Sequence, residues 1–172
     1  MPAAHVEGSL TVNLGGALVP DTANPTWVAV RDTFALAVSF PWTANGGAAG
    51  SAEQVYHGTL SAGAGSFVDL DLASSTENAF GDALAFTGVK AIMVRNTHAT
   101  LPLVVTTSGP ATPWTGAFAA AASVTVQAGG LLVLASPTAA GYTVTAGASD
   151  TLRFTNAGGS AIDVDVIVVG IV

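Results

Sequence analysis

Cysteine is absent from this 172-residue chain, so neither a disulfide framework nor a thiolate metal centre is open to it. Positive charge is almost absent as well: Lys and Arg number 4 against 11 Asp and Glu, a formal charge of −7. Proteins that grip phosphate backbones rely on many cationic contacts. Arg31, Lys90, Arg95 and Arg153 are too few and too scattered for that, which excludes nucleic-acid binding as a main role. The same scarcity argues against docking on an anionic membrane. No apolar run is long enough to span a bilayer, although 50% of the residues are hydrophobic and only 9% are charged. The opening residues Met1 to His5 lack the basic and apolar stretches of a secretory signal. A chain with so few charges must hide much of its surface, either in a core or against other subunits.

What the chain does have is alternation. Phe34, Leu36, Val38 and Phe40 are spaced two apart, with the smaller Ala35, Ala37 and Ser39 between them. That period sends one row of side chains to each face of a β-strand, and the larger row is expected to face a core. Strand-like runs recur near 6–14, 27–31, 34–40, 53–60, 67–72, 88–96, 101–107, 123–127, 131–135, 142–146, 151–156 and 161–169. Turn chemistry separates most of them, as in Asn45-Gly46-Gly47, Ser108-Gly109-Pro110 and Ala128-Gly129-Gly130. Short strands with such punctuation predict an all-β fold: an antiparallel β-sandwich, jelly-roll-like, with an N-terminal β-arm or extra strands. Helix signals are limited to single turns, one begun by Ser74-Ser75-Thr76-Glu77 and one in the alanine run from Gly116 to Ala122.

The Gly-rich segment from Thr43 to Ser51 reads as a joint between residues 1–50 and a sandwich domain over 51–172. The first 50 residues then form either an arm that packs on a neighbour or strands of the same sandwich. In the last strand Ile162, Val164, Val166 and Val168 make one row. The opposite row begins with Asp163 and Asp165 and ends with Ile167 and Val169, so the second half of this strand is apolar on both faces. Such a strand is central in a sheet or covered by a partner.

Catalytic signals are weak. No Gly-x-Ser-x-Gly elbow is present, and His5, His57 and His98 are far apart in sequence. Asp69 with Asp71, and Asp163 with Asp165, share strand faces and could offer carboxylates to Ca²⁺. Alternating Asp is more simply a solvated face that discourages edge pairing. The Gly-rich turns lack the Lys of a phosphate-binding loop. We therefore expect no catalytic, cofactor-binding or metal-binding residues. Trp27, Trp42 and Trp114 could stack on a sugar, but core packing suits at least two of them. Pro113-Trp114-Thr115-Gly116 reads as an exposed turn, and a buried subunit contact suits its Trp. The candidate interface residues are Trp114, Ile167, Val169 and Val172.

From about Glu53 onward the chain resembles a loose group of small virion proteins encoded by tailed bacteriophages. The resembling pieces run in order: Gln54 to Leu60, Phe67 to Leu72, Asn78 to Phe86 and Val89 to Ile92, then Gly129 to Leu134, Gly141 to Gly147 and Asp165 to Gly170. The resemblance implies a non-enzymatic structural role in a phage particle. The resemblance does not by itself choose between head and tail. An acidic exterior with scarce Lys and Arg fits an outer surface better than a DNA-facing one, so the expected function is capsid decoration (cement). The protein would be a homotrimer on the head surface of the virion, assembled in the bacterial cytoplasm and bridging copies of the major capsid protein. The alternatives are a tail tube, baseplate or fibre-associated β-domain, for which 27–40 could supply an inter-ring hairpin, and a carbohydrate-binding adhesin domain.

Overall fold

A computed structural model describes residues 8–18, 32–42 and 49–172. His5, the strand expected at 27–31, and the joint as far as residue 48 lie outside the described residues. The chain is all-β. Its strands are β1 (Gly8–Leu18), β2 (Asp32–Trp42), β3 (Gln54–Ala62), β4 (Phe67–Asp71), β5 (Thr76–Glu77), β6 (Ala83–Leu84) and β7 (Gly88–Asn96). They continue as β8 (Leu103–Thr106), β9 (Ser123–Val126), β10 (Leu131–Ala135), β11 (Tyr142–Thr143), β12 (Thr151–Thr155) and β13 (Ile162–Ile171).

Two antiparallel sheets form a sandwich. The larger runs β10-β7-β13-β3, with β11 also on β7, and the smaller runs β4-β12-β8-β9. The pairs β3·β13, β4·β12, β7·β10 and β8·β9 are nested one inside the next along the chain. The body therefore winds like one long hairpin folded over itself, closed within each layer by β13·β7 in the larger sheet and β12·β8 in the smaller. β1 and β2 stand apart as a two-stranded ribbon, and β5 with β6 make a short hairpin. That short hairpin replaces the helical turn expected after Ser74. Ala73 N–H and Ser74 Oγ donate instead to the Asp71 carboxylate, closing a turn before β5.

Alternation explains the core. The inward row of β13 (Ile162, Val164, Val166 and Val168) is fully buried, as are Ile92 and Val94 on β7 beside it. Leu70, Leu152, Phe154, Leu103 and Val105 face them from the smaller sheet. Relative to β13, β7 carries an extra residue at Lys90, since Val169 opposes Ala91 but Gly170 opposes Val89. Lys90 is buried there, and its Nζ donates to the carbonyls of Thr138 (2.6 Å) and Ala139. Burial lowers its pKa, against the opposing influence of Glu53.

Two buried asparagines pin the turns at the ends of the sandwich. Asn156 Nδ2 donates to the carbonyls of Ala62, Gly63 and Ser160 at 2.8–3.0 Å, and its Oδ1 accepts from Gly158 N–H. Asn96 repeats the device, donating to Leu101, Val126 and Gln127 carbonyls and accepting from His98 N–H. Removing such a hub strands several buried polar groups at once. Asn156→Ala is expected to destabilise the protein by at least about 2 kcal/mol, read as a lowered urea midpoint. The exposed Asn13→Ala should stay within about 0.5 kcal/mol.

Asp150 supplies the pH dependence. Burial pushes its carboxyl up, but hydrogen bonds from Thr112, Gly147 N–H and Thr151 outweigh this and hold it below the ordinary carboxylate value. A depressed native pKa contributes stability that is present above the unfolded value, about 3.9, and lost as pH falls through the lower folded value. Asp150→Asn should therefore be less stable than the parent at pH 7 in chemical denaturation, and the gap should narrow below about pH 4. A gap independent of pH would refute the assignment.

Candidate assembly surface

The surface that stands out is built by the β1–β2 ribbon and the outer face of the larger sheet. β1 and β2 pair in unbroken register from Gly8↔Trp42 to Leu18↔Asp32, 11 residues on each strand. The period of two then sorts the side chains. Leu10/Phe40, Val12/Val38 and Leu14/Leu36 are directly opposed on one face. Ser9/Pro41, Thr11/Ser39 and Asn13/Ala37 lie on the other, where the Thr11 and Ser39 hydroxyls are 3.3 Å apart. The only charged residue in either strand is Asp32, at the far end of the ribbon.

The ribbon is anchored at its base. Leu10, Phe40 and Trp42 pack with Ala52, Ala91 and Val169, flanked by Val55, Ala135 and Ile167. All of these partners except Ala52, which precedes β3, lie on the outward row of the larger sheet, so the ribbon covers the end of that sheet where the outer row is apolar. Farther along, the cover ends: Leu14 is 61% exposed, Leu36 60%, Val12 43% and Val38 36%. The alternating row read from the sequence is real, but Leu36 and Val38 are not core residues. They belong to a ribbon with no third strand and no facing sheet among the described residues, so there is no second layer to bury them. The Phe34 side chain lies outside the described residues.

Between the ribbon base and the sheet lies a groove of about 160 Å³, lined by Ser9, Leu10, Trp42, Ala91, Ile92, Met93, Ile167 and Val169. No ionisable side chain lines it. Beyond the groove the outer face becomes polar: Arg95 and Asp165 approach to 3.9 Å, and Thr59 donates to Asp165 at 2.8 Å.

Of the residues singled out from sequence, Ile167 and Val169 come together in this groove. Val172 is 49% exposed, and its N–H donates to the Glu53 carboxylate at 2.9 Å. Trp114 does not join them. Its exposure is 0%, with Nε1 donating to the Thr143 carbonyl at 2.8 Å and edge-on contacts to Phe118 and Tyr142. The Pro-Trp-Thr-Gly segment runs beside β12, bridged at Pro113↔Thr151, and is not a free turn. Gly116 lets it close, because a Cβ there would stand 2.2 Å from the Thr143 carbonyl. Met93 and Ala91 were not singled out, although alternation along β7 places both on the outward row with Arg95.

Asp69, Asp71, Asp165 and His98 have structural partners. Asp69 is held by Arg153 through two hydrogen bonds of 2.7 Å, and the Arg153 guanidinium sits 3.5 Å from the Phe67 ring centre. This bond to Asp69 raises the pKa of Arg153. His98 lies 3.1 Å from Ser160 Oγ, a Ser–His contact that invites a catalytic reading. Its Nδ1, however, accepts from the N–H groups of Thr100 and Leu101. In the neutral ring the proton is then on Nε2 and points at Ser160, the reverse of what a general base requires.

Exposure of the ribbon row separates its role from that of the core. Leu36→Ala should change the unfolding free energy of the isolated subunit by no more than about 0.5 kcal/mol. Phe154→Ala, at a fully buried site, should cost about 3–5 kcal/mol in the same denaturation experiment.

Comparisons of the chain with protein-family models, with curated proteins and with solved structures find no match.

Proposed function

We propose that this chain is a non-enzymatic structural subunit of a phage particle: a capsid decoration (cement) protein on the head surface that contacts the major capsid protein and bridges capsomers. The observation that carries the reading is the ribbon, a strand pair with Asp32 as its one charged residue and with four distal apolar side chains exposed in the isolated subunit. Two-stranded ribbons are marginal in water by themselves. An exposed apolar face of this kind is suited to burial between subunits.

Three further features support the reading. The segments from Gln54 to Gly170 resemble phage virion proteins. The nested strand pairs suit a jelly-roll reading of the sandwich, and that scaffold is used in viral shells. The balance of 11 acidic to 4 basic residues suits an outer surface and opposes a DNA-facing one. Bridging several neighbours, in trimers or otherwise, would multiply modest contacts through avidity. The ribbon also suits a second reading, a tail-tube or baseplate component in which such a hairpin reaches the next ring. An adhesin built on exposed Trp is less favoured, because Trp42 and Trp114 are both buried.

Electron microscopy of intact particles at side-chain resolution tests the placement. The expected result is many copies on the head exterior in contact with the shell protein, with deletion particles that assemble but lose heat resistance. Copies confined to the tail would replace the cement reading with the tail one. Copies lining the inside of the shell would contradict the charge argument.

A further inference from the structure

The distal ribbon and the groove are matching parts of one chain. We infer that the groove beside Met93 and Ile167 receives the distal ribbon (Val12, Leu14, Leu36 and Val38) of a second copy of this protein. The inference rests on the assembly reading above and names the partner that covers the ribbon.

Four observations point to a second copy. First, the contact already exists within the chain: Leu10 and Phe40, one rung of the ribbon ladder, pack on Ala91 and Val169, one outward row of the sheet. The next row, Met93 and Ile167, is only half-buried, and the next rungs, Val12/Val38 and Leu14/Leu36, are exposed. The trans contact repeats the cis contact one step along, with the same kinds of side chain. Second, two copies at −7 each repel, so they can approach closely only through uncharged surfaces. The groove lining and the three apolar rungs contain no ionisable group. A strongly charged partner would find nothing here to pair with.

Third, the groove, at about 160 Å³, is small for an ordinary ligand pocket, which runs from about 300 Å³ upward, but has room for an apolar side chain. Fourth, each copy offers one ribbon and one groove, so the contact is head-to-tail and closes in a reciprocal pair or a ring. Four side chains bury on the order of 500 Å², below the roughly 1,000 Å² that a lasting interface clears. Closure, in which each subunit both gives and receives, therefore supplies the stability that one contact lacks.

The cysteine-free chain makes the test direct. Full-length Leu36→Cys and Ile167→Cys variants, carrying tags of different mass, are mixed and oxidised, then separated without reductant; native protein is sized in parallel by sedimentation. The expected result is an oligomer whose mixed variants form the Leu36→Cys/Ile167→Cys heterodimer in preference to either self-pair. Met93→Cys replaces Ile167→Cys should the latter fold poorly. A double Leu14→Asp/Leu36→Asp variant should still melt cooperatively as a folded subunit, at a midpoint that no longer depends on protein concentration, and sediment as a monomer. A native monomer at micromolar concentration, cross-linking only between two Leu36→Cys chains, or an oligomer that survives the double substitution would each overturn the inference. Sedimentation requires no particle, so these outcomes are independent of where the protein sits on a phage. A protein found on the shell but monomeric in solution would lose this inference and keep its particle role.

Discussion

A two-layer sandwich can bury only one row of side chains on each strand, and the rest of this structure follows from that limit. The inward rows of β3, β7, β12 and β13 fill the space between the sheets. The outward row of the larger sheet is apolar at one end, at Ala91, Val169 and Ala135, and polar at the other, at Arg95 and Asp165. The apolar end has no third layer in the body itself. The base of the ribbon supplies one, with Trp42 and Phe40 as its bulk. The ribbon is thus part of the fold at its root and surplus to it at its far end. Burial of apolar area at about 25 cal/mol per Å² explains why the root is fixed. The same arithmetic explains why the distal rungs are worth burying elsewhere.

Charge decides what can happen at that far end. With four basic residues in the chain, ion pairs are few: Arg153 is committed to Asp69 within the smaller sheet, and Arg95 faces Asp165 on the larger. Among the described residues most acidic side chains lie on turns and outward rows, where they repel other copies and resist indiscriminate association. The three apolar rungs of the ribbon and the lining of the groove carry none. Repulsion over most of the molecule and attraction over one neutral patch make association directional, which an ordered assembly needs.

Much of the fold was legible because strand alternation is a local signal that survives burial. The strand-like runs read at 88–96, 131–135 and 161–169, separated by turn residues such as Gly and Asn, became β7, β10 and β13. The all-β antiparallel sandwich follows from the same pattern. Local signals do not report what lies opposite a strand. Leu36 and Val38 have the same spacing as the core row of β13, yet one row meets a second sheet and the other does not. Trp114 was misplaced for the converse reason. Pro and Gly on either side of it suggest an exposed turn, whereas the segment is pinned to Thr151 on β12 and to the Thr143 carbonyl, 29 or more residues away. The hub roles of Asn96 and Asn156 were hidden likewise, because their acceptors belong to turns remote in sequence. Ile167 and Val169 could be found, since an apolar outward row at the end of a strand needs a cover wherever that strand is placed.

The nested winding also bears on how such a subunit forms and joins others. β3 and β13 pair across most of the body's length, so the larger sheet closes only after nearly the whole chain has been made. The groove needs β7 and β13 side by side, together with the ribbon base, and is therefore complete only in a finished subunit. The ribbon is a local pairing whose ladder includes no distant strand, although its base needs the larger sheet to anchor it. A ribbon that meets an unfinished neighbour finds no groove to enter, because Met93 and Ile167 come together only when β13 docks on β7. Coupling the receiving site to the last long-range pairing would make assembly follow folding, and would keep the exposed rungs from joining chains that have yet to fold.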